Sequence, residues 1–170
     1  MPLYFAYGSN MDVTAMQRRC VRSRPLGRAV LPRHRFVIMK EGYASVVRDG
    51  GRNVHGVLWD VALSDVRPLD AYESISTGLY VKVSQPVLRE GAAAVRALLY
   101  VGRGNGGGKP LDGYMEAVLA AAKSWAMPEA YLRDLAALTP GGGRNTGEAG
   151  FAEPTVAPKV RPRYATPFDR

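Results

Sequence analysis

Apolar and polar positions follow two rhythms along this chain, a strand-like one before about residue 110 and a helical one after it. The short apolar and aromatic run over residues 3–7 stops at Gly8-Ser9-Asn10, the pattern of a buried strand entering a turn. Asp12 is placed to cap a helix over 13–20, in which Met16 and Cys20 share a face. Strands are predicted over 28–39 and 44–48 around Glu41-Gly42, and over 54–61 after an Asp49-Gly50-Gly51 turn.

A short helix over 65–72 opens at Ser64, with Pro68 tolerated in its first turn because no hydrogen bond is lost there. In 80–88, Tyr80, Lys82 and Ser84 alternate with Val81, Val83 and Gln85; with 95–101 beyond Glu90-Gly91 this predicts a hairpin. Met115, Val118, Leu119 and Ala122 then mark one face of a helix over 111–124, and Leu132, Leu135 and Leu138 one face of a helix over 128–138. Strands come early and helices late without strand-helix-strand alternation, which is an α+β pattern. After Pro140 glycines and prolines crowd in with no apolar period, dividing the chain into a domain over 1–140 and a Gly/Pro-rich segment over 141–170. Phe151, Tyr164 and Phe168 give that segment anchors for an ordered strap; a loose tail is the other reading, and both stay open.

Composition narrows the class. With 170 residues, 46% hydrophobic and 22% charged, the chain suits one globular domain with a tail and excludes wholesale disorder, coiled coil and collagen. One cysteine, Cys20, allows no internal disulfide and no thiolate metal site. No apolar run approaches the roughly 18 residues a bilayer requires, so a soluble, cytoplasmic protein is expected. The 23 Lys and Arg exceed the 15 Asp and Glu, for a formal charge of +8. Much of this excess is local: Arg18, Arg19, Arg22, Arg24, Arg28, Arg33 and Arg35 lie between Asp12 and Lys40 with no acid among them. They straddle a helix end, a Pro25 turn and a strand rather than one recognition helix, so a solvated basic face is expected. The alternative is a non-catalytic module that binds a small molecule or nucleic acid through this 18–35 face.

Candidate chemistry is sparse. His34 and His55 stand alone, so no metal site is expected, and no G-x-S-x-G marks a serine nucleophile. Gly102-Arg103-Gly104-Asn105-Gly106-Gly107 matches a dinucleotide-type glycine pattern, but Lys109-Pro110 follows it and no βαβ frame surrounds it; a flexible loop near a pocket is the reading. Tyr4-Phe5-Ala6-Tyr7-Gly8-Ser9-Asn10-Met11 says more. A buried strand ends in residues suited to exposing backbone N–H groups ahead of a helix N-terminus, which binds anions.

That octapeptide, with Gly56-Val57-Leu58-Trp59, Leu69-Asp70-Ala71-Tyr72-Glu73, Gly78-Leu79-Tyr80 and Leu111-Asp112-Gly113-Tyr114, resembles the γ-glutamylcyclotransferase (AIG2-like) family in order and spacing over residues 1 to about 140. The resemblance implies a small mixed β-barrel with flanking helices, a cavity at one end, and release of 5-oxoproline from a γ-glutamyl amino acid, peptide or amine without cofactor or metal. It implies Glu73 as the catalytic carboxylate, and Tyr4, Phe5, Ala6, Tyr7, Gly8, Ser9, Asn10 and Tyr114 as substrate-binding residues. Ala71-Tyr72-Glu73-Ser74 departs from the family, which often has a polar residue before the glutamate and a glycine after it, and this bears on substrate choice. The expected partner is a small-molecule γ-glutamyl substrate, with no specific nucleic acid, no membrane, and room for a homodimer. On this reading Glu73, Tyr114 and the Gly8 turn should converge on one cavity lined by residues such as Tyr7 and Tyr80. A non-catalytic module should leave Glu73 exposed or paired with Arg67.

Overall fold

A computed structural model describes residues 2–140 of the chain. The strap or tail over 141–170 lies outside the described residues. In chain order the elements are β1 (Leu3–Ala6), a 3-10 turn (Ser9–Met11), α1 (Val13–Arg19), β2 (Arg24–Ile38), β3 (Ala44–Asp60), a 3-10 turn (Leu63–Asp65) and α2 (Val66–Tyr72). A third 3-10 turn (Ile75–Thr77), β4 (Tyr80–Arg89), β5 (Val95–Gly102), α3 (Tyr114–Ser124) and α4 (Glu129–Ala136) complete it.

The strands close into a mixed barrel in the order β1-β3-β2-β4-β5, sealed where β1 runs parallel to β5 with Tyr4 opposite Leu98. All other pairings are antiparallel. Closure removes free sheet edges and covers β1 from both faces, which is why Tyr4, Phe5 and Ala6 are all buried instead of alternating. The α+β barrel with four flanking helices expected from the sequence is the fold observed.

Several local expectations change. Asp49-Gly50-Gly51 is not a turn: β3 runs through it, and the register with β2 jumps from Pro32↔Asn53 to His34↔Arg48. The extra β3 residues bulge out opposite Arg33, which takes a left-handed φ of 59° and donates its backbone N–H to Asn53 Oδ1 at 3.2 Å. Pro25 likewise lies inside β2, opposite Trp59, with a second register shift beside Gly27. Ser64 does not cap α2; its hydroxyl donates to Asp65 Oδ1 at 3.2 Å. Asp65 Oδ2 in turn accepts from Arg22 N at 2.8 Å and Ser23 Oγ at 2.9 Å, tying the start of α2 to the entry of β2.

The glycine-rich segment after β5 is pinned along the barrel: Gly108 donates to Ile38 O at 3.0 Å and Leu111 to Gly42 O at 3.2 Å. Gly108 lies so close to the Met39 backbone that a side chain has no room, so glycine serves packing there rather than phosphate binding. In α3 the predicted face is present, with Met115, Val118 and Ala122 in the core beside Leu132 and Leu135 of α4. Leu138, predicted for the same face, lies beyond the end of α4 and is exposed. The arginine run is broken up by acids from other elements: Arg24 pairs with Asp60 at 3.2 Å, Arg28 with Glu90 at 2.5 Å and Arg35 with Asp49 at 3.7 Å.

Candidate active site

One end of the barrel gathers the polar core. β1 delivers Tyr4 and, just past its last residue, Tyr7. The chain then folds into the 3-10 turn, closed by Met11 N–H on Gly8 O at 3.0 Å. Ala44 opens β3, Tyr80 opens β4, Tyr100 lies near the end of β5, and Tyr114 is the first residue of α3. Glu73 caps the C-terminus of α2, its N–H on Leu69 O at 3.0 Å. Ser74 follows in the left-handed conformation (φ 54°), where a helix usually ends on glycine, and reverses the chain directly after the carboxylate.

These residues line a tight recess with about 20 Å3 of water-accessible space, bounded by Tyr4, Tyr7, Gly8, Ser9, Asn10, Ala44, Glu73, Tyr80, Tyr100 and Tyr114. That is room for about one water, far below the roughly 300–1,000 Å3 of common small-molecule sites. Glu73 is 5% exposed and is the one carboxylate on this wall among the described residues. Its Oε1 accepts from Asn10 Nδ2 at 2.9 Å, and the same nitrogen donates to the Tyr4 hydroxyl at 3.0 Å. Arg67 is exposed and makes no ion pair with it.

The tyrosines are hydroxyl donors and acceptors, not bases. Burial pushes the Tyr4, Tyr7, Tyr80, Tyr100 and Tyr114 hydroxyls well above the ordinary phenol value, and the negative charge of Glu73 pushes each further. Tyr7 donates to Tyr100 O, and Tyr80 donates to Ala44 O at 2.6 Å, so both spend their protons on the main chain. Tyr114 Oη instead accepts from Ala44 N at 3.2 Å, which leaves its own proton to give. A Cβ on Gly8 would meet that hydroxyl at 3.0 Å; glycine is what lets the turn and Tyr114 approach.

Comparison with known proteins agrees with this architecture. The AIG2-like family pattern matches residues 53–135. The mouse γ-glutamylcyclotransferase is 24% identical over 148 residues, covering 81% of this chain and 79% of the mouse protein; the human one is 25% identical over the same shares. A solved structure described as a γ-glutamyl cyclotransferase superimposes with a TM-score of 0.76 at 23% identity, over 88% of this chain and 93% of that one. A solved human protein described as uncharacterized gives 0.75 at 24% identity, over 87% and 92%. The chain shares the fold of these proteins and resembles the γ-glutamylcyclotransferase-like, AIG2-like family.

The expected site residues separate into two groups. Tyr4, Tyr7, Gly8, Ser9, Asn10, Glu73 and Tyr114 come together on the recess. Phe5 and Ala6 do not line it: Phe5 is fully buried against Gly56, and Ala6 pairs with Val57 in the sheet. The turn does not sit at an open α-helix N-terminus as the sequence suggests: it leads into 3-10 geometry, and the Asp12 carboxylate takes the first turn of α1 through Ala15 N at 2.6 Å. Ala44 and Tyr100 reach the recess through barrel closure and carry no local signal for it.

Elsewhere, His34 Nδ1 contacts Pro32 O at 2.8 Å, and His55 stacks on Tyr131 with ring centroids 4.8 Å apart. No group of three or more potential metal ligands occurs among the described residues, and none of their helices is long and apolar enough to cross a membrane.

Proposed function

We propose that this protein is a γ-glutamyl cyclotransferase that releases 5-oxoproline from a γ-glutamyl amino acid, peptide or amine, with Glu73 as its general acid and base. The observation that carries this reading is a buried carboxylate, Glu73, held by Asn10 on the wall of a tyrosine-lined recess.

The reaction needs folding back and proton movement. The substrate's α-nitrogen attacks its own γ-carbonyl, a C–N bond closes the five-membered lactam, and the original amide C–N bond breaks to expel an amine. Holding the two ends together supplies up to about 7–11 kcal/mol of the barrier reduction. The substrate arrives as an ammonium, so its nitrogen must lose one proton before attack and a second to become the lactam N–H, while the departing nitrogen gains one to leave as an amine and the other proton goes to that amine or to water. Among the described residues of the recess Glu73 is the carboxylate placed to act as base, since the tyrosines stay protonated, and it can pass a proton on to the leaving nitrogen. The Tyr114 hydroxyl and the Gly8-Ser9-Asn10 turn supply donors for the substrate carboxylate and the developing oxyanion.

The test is a panel of γ-glutamyl amino acids, peptides and amines scored by 5-oxoproline formation with purified protein. At least one should turn over catalytically. No 5-oxoproline from any member, at enzyme concentrations that saturate with ligand by calorimetry, would retire the cyclotransferase reading in favour of a binding module.

A further inference from the structure

Arg19 ends α1 at the half-buried margin of the site, in the arginine run that sequence alone assigns to a solvated face. Its Nη1 donates to Asn10 Oδ1 at 2.5 Å, and its guanidinium carbon lies 3.8 Å from the centre of the Tyr72 ring. The Tyr72 hydroxyl is itself 3.2 Å from Ser9 Oγ. A guanidinium can only donate, so the Asn10 oxygen must face Arg19 and the amide nitrogen must face inward. Both inward N–H groups are then used, one on Glu73 Oε1 at 2.9 Å and one on Tyr4 Oη at 3.0 Å.

We infer that Arg19 is a positioning residue that acts through Asn10, locking its amide so that it holds the Glu73 carboxylate in its working orientation; this deepens the cyclotransferase reading and rests on it. Without the guanidinium, the Asn10 amide can turn over and present its oxygen to a carboxylate, which repels it. Stacking on Tyr72 fixes the guanidinium plane, so the device couples the end of α1, the Gly8 turn and the end of α2, three segments whose junction is the catalytic wall. Asn10, taken from the sequence as a substrate donor, has its side-chain amide fully committed to this chain of bonds.

The experiment is a double-mutant cycle on the best panel substrate with Arg19→Met, Asn10→Ala and the pair, supported by Arg19→Lys and Arg19→Gln. A misplaced catalytic group costs of the order of 10- to 100-fold in kcat, so Arg19→Met should lose about that much while KM moves less than about threefold. The pair should be no slower than Asn10→Ala alone, because the arginine has nothing left to orient. Arg19→Lys should recover part of the loss, as an ammonium can reach the oxygen but cannot stack as a plane. The activity-free readout is NMR of the Asn10 side-chain amide, whose protons should exchange slowly with solvent in the wild type and rapidly in Arg19→Met or, if that variant folds poorly, Arg19→Gln. Additive losses, a rise in KM with unchanged kcat, or unaltered amide exchange would each overturn the positioning role. If the wild type turns over nothing, the cyclotransferase reading falls and the amide exchange still decides the role of Arg19.

Discussion

Asn10 and Glu73 stand 63 positions apart in the chain and are joined by a buried 2.9 Å hydrogen bond between the amide nitrogen and the carboxylate. One belongs to the turn after the first strand, the other to the end of the second helix, and the bond makes the two motifs one surface. Charge-assisted bonds of this kind are about twice as strong as neutral ones, and this one fixes Glu73 on the wall of the recess.

Glu73→Gln keeps shape and can still accept from Asn10, but an amide cannot take the ammonium proton at neutral pH. Turnover should fall at least about 100-fold while calorimetric ligand binding largely survives. Glu73→Asp should be nearly as slow, because the shorter arm withdraws the carboxylate from an amine held elsewhere. A Gln variant with more than about a tenth of wild-type turnover would remove Glu73 as proton carrier.

Gly8→Ala puts a Cβ 3.0 Å from the Tyr114 hydroxyl and should push the two apart, raising KM by about tenfold or more. Tyr114→Phe in that background should relieve the crowding and restore thermal stability without restoring activity. If Gly8→Ala binds and turns over like the wild type, close approach at this turn is not what the site needs.

Ser74 sits at φ 54° where a non-glycine residue carries strain of about 1–2 kcal/mol. Ser74→Gly removes it at an entropic cost of roughly 0.5–1 kcal/mol, so denaturant titration should show a net gain of about 0.5–1 kcal/mol. Ser74→Val should destabilise, since a β-branched residue tolerates this conformation least. A glycine variant less stable than the wild type would place the value of Ser74 in its side chain instead.

Asp65 links stability to pH. Burial alone would raise its pKa, but the N–H of Arg22 and the hydroxyls of Ser23 and Ser64 outweigh it and hold the carboxyl below its ordinary value of 3.8. The unfolded chain therefore binds its proton at higher pH than the folded one. The stabilisation is complete above the unfolded value and is lost as pH falls through the lower, folded one. Asp65→Asn should cost about 1.5–3 kcal/mol at pH 7, and its melting temperature should fall less between pH 5 and pH 3 than that of the wild type. Parallel pH curves for the two proteins would contradict this linkage.

The basic stretch should bind duplex DNA weakly, without sequence preference and with a steep salt dependence, because Arg24, Arg28 and Arg35 are already paired with acids. Fluorescence anisotropy at physiological salt checks this. Sequence-selective binding there would make the 18–35 face a working surface.

Local patterns carried a good deal of this protein. Period-two runs located β4 and β5, helical spacing located the α3 and α4 faces, and the Tyr4 to Met11 and Leu69 to Glu73 motifs named most of the residues that line the recess. The strands and helix faces are legible because backbone period and capping depend on neighbours a few positions away, while the recess residues were named by the family resemblance those motifs carry. The continuity of β3 was not legible, because Asp49-Gly50-Gly51 reads as a turn until β2 supplies a partner on both sides of the bulge.

Long-range pairing decided the rest. Phe5 and Ala6 share the motif of Tyr4 and Tyr7, yet barrel closure turns them toward packing and sheet pairing. Tyr100 reaches the wall because the β1 to β5 seam sets β5 beside β1, and Ala44 because Tyr80 and Tyr114 from distant elements close on it. Arg19 reads as one cation among seven until α1 lays it on Tyr72 and against Asn10. A sequence determines which groups can donate, accept or carry charge; which of them meet depends on contacts across more than sixty residues, and only the closed barrel makes those contacts.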